Sequence, residues 1–508
     1  MTSSRHPEGR EVGVLLVALV PLVMALSLAA ASVYAVEQSA APSTDVVCGS
    51  QPGERQTCAA ETSKGVTLVR SVGPGACELG RTWGYDATAI WVSEGCSGEF
   101  SLGRKDETSF GKYTPAGGFK VADTEHGDLN FRLFTYVRYL NQMRLDESYT
   151  DSFGVTKDVK QRQDFQLNKA QINFFGWLMS RKLRYLAYVW SSNVSQGQVT
   201  QVVIGGNLTY AFNEHVTVGA GINSLPGARS TEGNFPYWLG LDARLIGDEF
   251  FRPSYTTGIW AKGSIVKGLD YNVMLGNNLS QLGIDAGQLS NDLNTYSAAL
   301  VWMPTTGEYG RTRGFGDIEH HEHAATRFGV HYTHSDEDRQ SQPGTEAYDN
   351  VQLRLSDGNI IFATNLFGPG VQIDNATYRM SSVDAGMKYR GLSVEGEYYW
   401  RRLDEFRGRG LEALPFTDRR DHGFQLQTSA MAVPKFLQVY ASGSKVFGQY
   451  GDPSDFRAGA TFFPWRNEVV RWNFEFMQLN RSPVGALSLP YSVGSNGTIF
   501  HTNFMVWF

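Results

Sequence analysis

After Cys96 the chain has no cysteine. Its only four, Cys48, Cys58, Cys77 and Cys96, sit near the start of a sequence of 508 residues. The long remainder has no disulfides to hold it, and no CxxC pair offers a zinc site. Past residue 35 no apolar run approaches the ~18 residues that a spanning helix needs. Neither GxSxG nor HExxH occurs, and no glycine-rich phosphate loop is present, so the motifs of serine hydrolases, zinc peptidases and nucleotide enzymes are missing. No catalytic residue, metal or cofactor is expected. Excess positive charge is also lacking: 45 Lys+Arg against 51 Asp+Glu leave a net charge of -6, and no nucleic-acid partner is expected.

What is present points to export. Residues 12–35 form an apolar run behind Arg5 and Arg10 and close on Val33-Tyr34-Ala35, the small-x-small pattern of a signal-peptide cleavage site. Residues 1–35 read as a signal peptide, with an uncleaved anchor as the alternative. Gly 55 and 13% aromatic residues are high, while 42% hydrophobic and a mean hydropathy of -0.28 look soluble. A membrane barrel hides its apolar surface in such averages, because lipid-facing apolar residues alternate with polar residues facing the lumen.

The four cysteines mark a module over 46–102. In an exported segment they read as two disulfides with three connectivities open. Between them, "GVTLVRS" and "AIWVSEGCSGEF" are short β patterns in a unit too small to fold comfortably without staples. Trp83 to Asp86 (Trp-Gly-Tyr-Asp), Ile90 to Val92 (Ile-Trp-Val), Gly95-Cys96 and Phe100 resemble the signature of a small four-cysteine bacterial domain of unknown function. That resemblance implies a module and a compartment, not an activity. Trp83, Tyr85 and Trp91 could stack on a glycan of the cell wall, or simply form the core of the module.

Residues 103–118, polar and glycine-bearing, read as a linker. From 119 to 508 the dominant pattern has period 2. In "GDLNFRLFTYVRYLN" one face carries Leu129, Phe131, Leu133, Thr135, Val137 and Tyr139, and the other Asn130, Arg132, Phe134, Tyr136 and Arg138. The final "FHTNFMVWF" alternates too, with Phe500, Thr502, Phe504, Val506 and Phe508 on one row. Many such segments between Gly, Asn, Asp and Pro turns predict an all-β fold, a transmembrane antiparallel barrel. At roughly 24 residues per strand and loop, about 16 strands are expected, with 18 the next choice; a barrel of that size leaves an aqueous channel.

Segments such as "YNVMLGNNLS", "ALVWMPTTGEYG" and "SAMAVPKFLQVYASGSKVFGQYGD", with the terminal strand, resemble bacterial outer-membrane porins of the phosphate-selective O/P type. The resemblance implies a Gram-negative outer membrane, a water-filled channel for passive ion and solute transport, and a homotrimer. It also implies that the row ending at Phe508 is the signal read by the barrel assembly machinery. An even strand number puts both barrel ends on one side, and where that side is the periplasm the module would lie in the periplasm. The chain departs from the O/P pattern in charge. Its lumen rows are mixed, with Arg132, Arg138, Arg184, Lys388, Arg390 and Arg401 beside Asp384, Glu395 and Glu397. Anions such as phosphate are thus one solute class among several.

Residues 235–255 break the alternation and carry Asp242, Arg244, Asp248, Glu249 and Arg252, with Leu241 and Leu245 on one face of a short helix. A loop folded into the barrel with both signs of charge would form the constriction. "DIEHHEHAA" (317–325) suggests metal ligands but reads better as a solvated turn, and "SDEDR" (335–339) lacks the rest of a calcium loop. The rival reading is a binding or tethering protein in which the module grips peptidoglycan or another glycan and the barrel serves as its anchor in lipid.

Overall fold

The computed structural model describes the residues from Asp45 to Phe508 except 63–64, 74, 79–81, 87, 103–111, 115–116, 193–200, 233–235, 242, 283, 285, 289–291, 311–312, 344–352 and 486–488. The expected signal peptide and most of the expected linker lie outside them. The chain divides into two compact units, Met1–Glu107 and Thr108–Phe508.

The first unit holds β1 (Asp45–Gly49), β2 (Arg55–Ala59), β3 (Val66–Ser71), β4 (Trp83–Tyr85), β5 (Ala89–Ser93) and β6 (Ser97–Leu102). They form two three-stranded sheets, ordered β1-β6-β3 and β2-β5-β4. The disulfides pair neighbours in sequence, Cys48 with Cys58 and Cys77 with Cys96, which settles the connectivity. Trp83 is buried with Ile90, Val92 and Phe100 around Cys48 and Cys96. Its ring lies 4.9 Å from that of Phe100. Trp91 sits under the Arg55 guanidinium at 4.1 Å, and Tyr85 is exposed. The three rings therefore do not share one open platform, because a unit this small needs Trp83 for its core.

The second unit opens with β7 (Lys112–Thr114) and β8 (Gly118–Thr124), followed by β9 (Gly127–Leu145) and a small hairpin of β10 (Ser148–Thr150) and β11 (Thr156–Asp158). Then come β12 (Gln163–Leu178), β13 (Ser180–Ser192), β14 (Gln201–Ala211), β15 (Thr217–Ser224), β16 (Tyr255–Val266), β17 (Leu269–Gly276) and β18 (Thr295–Trp302). The rest are β19 (Ala325–Asp338), β20 (Gln372–Tyr389), β21 (Leu392–Arg409), β22 (Arg419–Val433), β23 (Leu437–Phe447), β24 (Ser454–Phe462), β25 (Val470–Asn480) and β26 (Gly497–Trp507). Strand β9 pairs with β12 on one side and β26 on the other, so β9 and β12 to β26 close an antiparallel ring of 16 strands. Where β26 ends, β8 takes over the same edge of β9, and the Phe119 and Phe508 rings meet at 5.9 Å.

The period-2 pattern sorts the side chains as its chemistry requires. On β21, Leu392, Val394 and Trp400 are exposed outward, while Glu395, Glu397, Tyr399 and Arg401 are buried inside. On β26, His501, Asn503, Met505 and Trp507 point in; the row of Phe500 to Phe508 faces out. The outer surface of the ring is an apolar band of such residues, which only a lipid environment would leave unpenalised.

The two ends of the barrel differ. At the end holding Gly127 and Phe508, most strands are joined by short turns, such as residues 267–268 and 390–391. Residues 303–324, joining β18 to β19, are the long exception. The opposite end carries long connections, among them residues 225–254, 339–371 and 481–496. Two expectations are corrected. The helix is only Ile246–Phe251 and begins after Leu245, whose own backbone is extended. Leu241 has φ 35° and packs instead on Phe134, Tyr136, Met505 and Trp507.

Candidate functional site

The connection of residues 225–254 turns into the barrel and crosses it. Phe250 and Phe251 of its helix are buried, the Phe251 ring stacked on Tyr399 at 5.1 Å, and the Tyr378 hydroxyl donates to the Phe251 carbonyl. Residues 303–324 enter from the other end and meet it, the Phe315 N–H donating to the Tyr237 carbonyl at 2.9 Å. At this junction Gly316 has φ 83°, a backbone conformation that favours glycine, and a Cβ there would lie 2.3 Å from Gln438 Nε2 and 3.2 Å from Leu239. The filling of the barrel is therefore built from both of its ends. Sequence reasoning found the first segment through its broken alternation and missed the second, whose only signal was its length.

Charges on the wall hold these segments. Arg229 pairs with Glu395 at 2.8 Å, its N–H donates to Glu397 at 3.0 Å, and its guanidinium donates to the Arg313 carbonyl at 2.8 Å. Arg327 donates to Asp384 at 2.7 Å and to Glu232 at 2.7 and 2.9 Å; His331 adds a 2.9 Å bond to Asp384. Arg457 bonds Asp455 at 2.9 Å and the Ala243 carbonyl at 3.2 Å. Arg471 reaches the Pro236 carbonyl at 2.7 Å. Arg401 binds Asp421 at 2.7 Å and the carbonyls of Phe250 and Arg354 at 3.3 and 2.7 Å. Buried backbone carbonyls need donors, and here wall arginines supply them.

The expected site residues fall into place unevenly. Arg244 is buried, lies 4.4 Å over the Trp238 ring and 3.8 Å from Asp248. Asp248 accepts from the Ser230 hydroxyl at 2.7 Å. Glu249 and Arg252 form a two-pronged pair at 2.8 and 3.0 Å, so these charges are spent on one another and not presented to a pore. Asp242 lies outside the described residues. Of the expected lumen cations, Arg138 is buried on Gln166 (2.8 Å), and Arg132 lies 4.2 Å over the Trp507 ring. Lys388 is buried and donates to the carbonyls of Tyr309 and Gly314 at 3.2 and 2.6 Å. Arg390 is corrected: it sits exposed, at φ 48°, in the turn between β20 and β21, where the strand pattern has ended. Arg184 stays on the inner row of β13, exposed, with one 3.4 Å bond to the Arg181 carbonyl.

The filling is one-sided. The inner rows of β19 and of β21 to β26 are largely buried beneath the inward segments. On β13 and β14 the inner positions Arg184, Leu186, Tyr188, Val203, Asn207 and Thr209 are exposed or half-exposed, as is Lys262 on β16. The Lys262 ammonium has no hydrogen-bond or ion-pair partner among the described residues, so it and Arg184 are cations that sequence reading could not separate from the consumed ones. The histidine run is held as a turn: His321 bonds Asp317, whose carboxylate also accepts from the Gly391 N–H at 2.7 Å. Among the described residues, the grouping that could ligate a metal is Glu232, His331 and Asp384, and the Arg327 guanidinium already occupies its oxygens.

Residues 29–127 match the family described as "Protein of unknown function (DUF3011)". No curated protein matches the chain. Among solved structures, the barrel is similar to the outer-membrane expressed OmpT of Vibrio cholerae (TM-score 0.48, 9% identity, covering 76% of this chain and 99% of that one). It is also similar to an anion-selective porin from Comamonas acidovorans (TM-score 0.46, 8% identity, 75% and 100%). A third likeness is the outer membrane channel DcaP of Acinetobacter baumannii (TM-score 0.46, 9% identity, 77% and 100%). Likenesses at this level add nothing to what the strand pairing itself shows.

Proposed function

We propose that this chain is an outer-membrane porin, a channel for passive diffusion of small polar or ionic solutes, with its passage along the inner face of β13 to β16. The observation that carries the reading is the one-sided filling of a closed 16-strand ring whose outer face is apolar. A pathway bounded by a polar, partly exposed row on one side and a firmly anchored segment on the other is narrow and rigid, which suits sieving by size and charge. Because most wall cations among the described residues are engaged by carboxylates or carbonyls, Lys262 and Arg184 are well placed to act on a passing ion. They favour anions, phosphate among them. A homotrimer, the assembly role of Phe508 and a periplasmic position of the module belong to the same reading.

Single-channel conductance of the full-length protein in a planar bilayer tests it, with the reversal potential in a salt gradient giving the sign of selectivity. Stable open channels with an anion-favouring reversal support the proposal; folded protein that conducts nothing overturns it. The buried packing of half the lumen favours a second reading, a barrel that anchors a binding module. Binding of the full chain to purified peptidoglycan, lost on reduction of the disulfides and accompanied by no conductance, would decide for it.

A further inference from the structure

Just beyond the apolar band, at the end with the long connections, three arginines lie side by side on the outside of the barrel. Arg379 on β20 is in register with Arg402 on β21, and Arg402 with Arg420 on β22. His334 on β19 extends the row. Cross-strand neighbours stand about 5 Å apart, and like charges directly opposite are unfavourable. The row next toward the barrel middle reads Tyr332, Ser381, Trp400 and His422, and the one beyond it Val330, Val383, Tyr398 and Phe424. Apolar, aromatic and then basic is the order of a surface crossing from hydrocarbon into headgroups.

Carboxylates stand on the far side of the arginine row. Arg379 pairs with Asp404 and with Glu405, at 2.5 Å for the latter. Arg402 lies 2.9 Å from Asp404 and 3.2 Å from Asp418, and Arg420 2.9 Å from Asp418. These acids hold the guanidiniums in a line without covering them: the side chains of Arg402 and Arg420 remain 48% and 70% exposed. Three planar cations fixed in a row at the edge of the lipid band form a cradle for phosphate oxygens, which guanidinium groups bind in pairs.

We infer that Arg379, Arg402 and Arg420 bind the phosphate groups of the lipid headgroups surrounding the barrel at its long-connection end, with lipid A, a lipid that carries two phosphates, as the partner. The inference rests on the outer-membrane reading above, in which that end faces the phosphorylated outer leaflet.

The test uses the full-length protein in detergent, exposed to lipid A or to its fully dephosphorylated form, with bound lipid counted by native mass spectrometry. The parent should retain lipid A several-fold better than the phosphate-free lipid. The double variant Arg402→Gln/Arg420→Gln should lose that preference, and Arg402→Lys/Arg420→Lys should keep much of it. Heat-modifiable migration on gels establishes that each variant is folded. Equal retention of both lipids by the parent, or undiminished preference in the Gln variant, overturns the inference. Conductance of the same samples reports separately on the channel, since these outward arginines do not line it.

Discussion

Arg229, carried into the barrel by the connection between β15 and β16, meets Glu395 of β21 at 2.8 Å, and both side chains are almost fully enclosed. A pair in that setting is costly to break singly, because the surviving charge stays buried; the penalty is about 3–5 kcal/mol. Glu395→Ala should therefore loosen the inward segment while the barrel persists, raising single-channel conductance and its noise. The double change Arg229→Met/Glu395→Met, which removes both charges, should restore quiet conductance close to that of the parent. A single variant with unchanged traces would show that this pair does not fix the segment.

Reversal potential is the measure for the free cations. Inverting Lys262 to Glu, alone and with Arg184→Glu, should move selectivity toward cations in steps. A unit charge at ~4 Å in water shifts one ion's energy by about 1 kcal/mol, roughly five-fold. An inversion changes the charge by two units with opposite effects on anion and cation, so the anion-to-cation permeability ratio should change by at least about five-fold per inversion. Lys388→Gln, at a cation consumed by the carbonyls of Tyr309 and Gly314, should shift the ratio far less.

Reduction should separate the two units. The disulfides close loops with sequence separations of 10 and 19. Loop-closure entropy then assigns about 3 kcal/mol to each, close to the whole stability of a domain so small. Treatment with a thiol reductant should render residues 45–102 sensitive to protease, while the barrel, which has no cysteine, keeps its heat-modifiable migration. A module that stays resistant when reduced would contradict this.

Acid should loosen one loop contact. Asp151, between β10 and β11, is 2.9 Å from Lys157 Nζ and 3.1 Å from Asn359 Nδ2, on the connection between β19 and β20. Burial raises its pKa, but hydrogen bonds from Lys157, the Val155 N–H, Asn359 and the Phe153 N–H outweigh it and hold the carboxyl at about 2, below the ordinary 3.8. A depressed carboxylate pKa means a stabilisation present above 3.8 and lost as pH falls through about 2. Hydrogen exchange in residues 146–162 and 353–362 should thus be faster in Asp151→Asn than in the parent at pH 6, with the difference shrinking toward pH 2. A gap that stays constant across that range would assign the effect to shape, not charge.

Much of the architecture is legible in the alternation. The two faces of β9 and the row from Phe500 to Phe508 follow residue by residue from period 2, because a pleated strand between lipid and lumen leaves no other arrangement. The length of the barrel segment likewise predicts about 16 strands, with 18 the next choice. Residues 235–255 show by their lost alternation that they are not strand, but not that they turn inward. The disulfide partners do not, since spacing leaves three pairings and only the sheet geometry brings Cys48 to Cys58 and Cys77 to Cys96.

The sequence by itself determined a closed barrel with an apolar outside and a charged inside, since those properties belong to each strand and its period. Tertiary structure alone decided which charges are free. Arg401 and Lys388 read as lumen cations like Arg184, yet the first two are capped by carbonyls of chain segments folded in from opposite ends of the barrel, and the last is not. Such partners lie far apart in sequence, and a charge's effect depends on what it faces across the lumen, which no local pattern encodes.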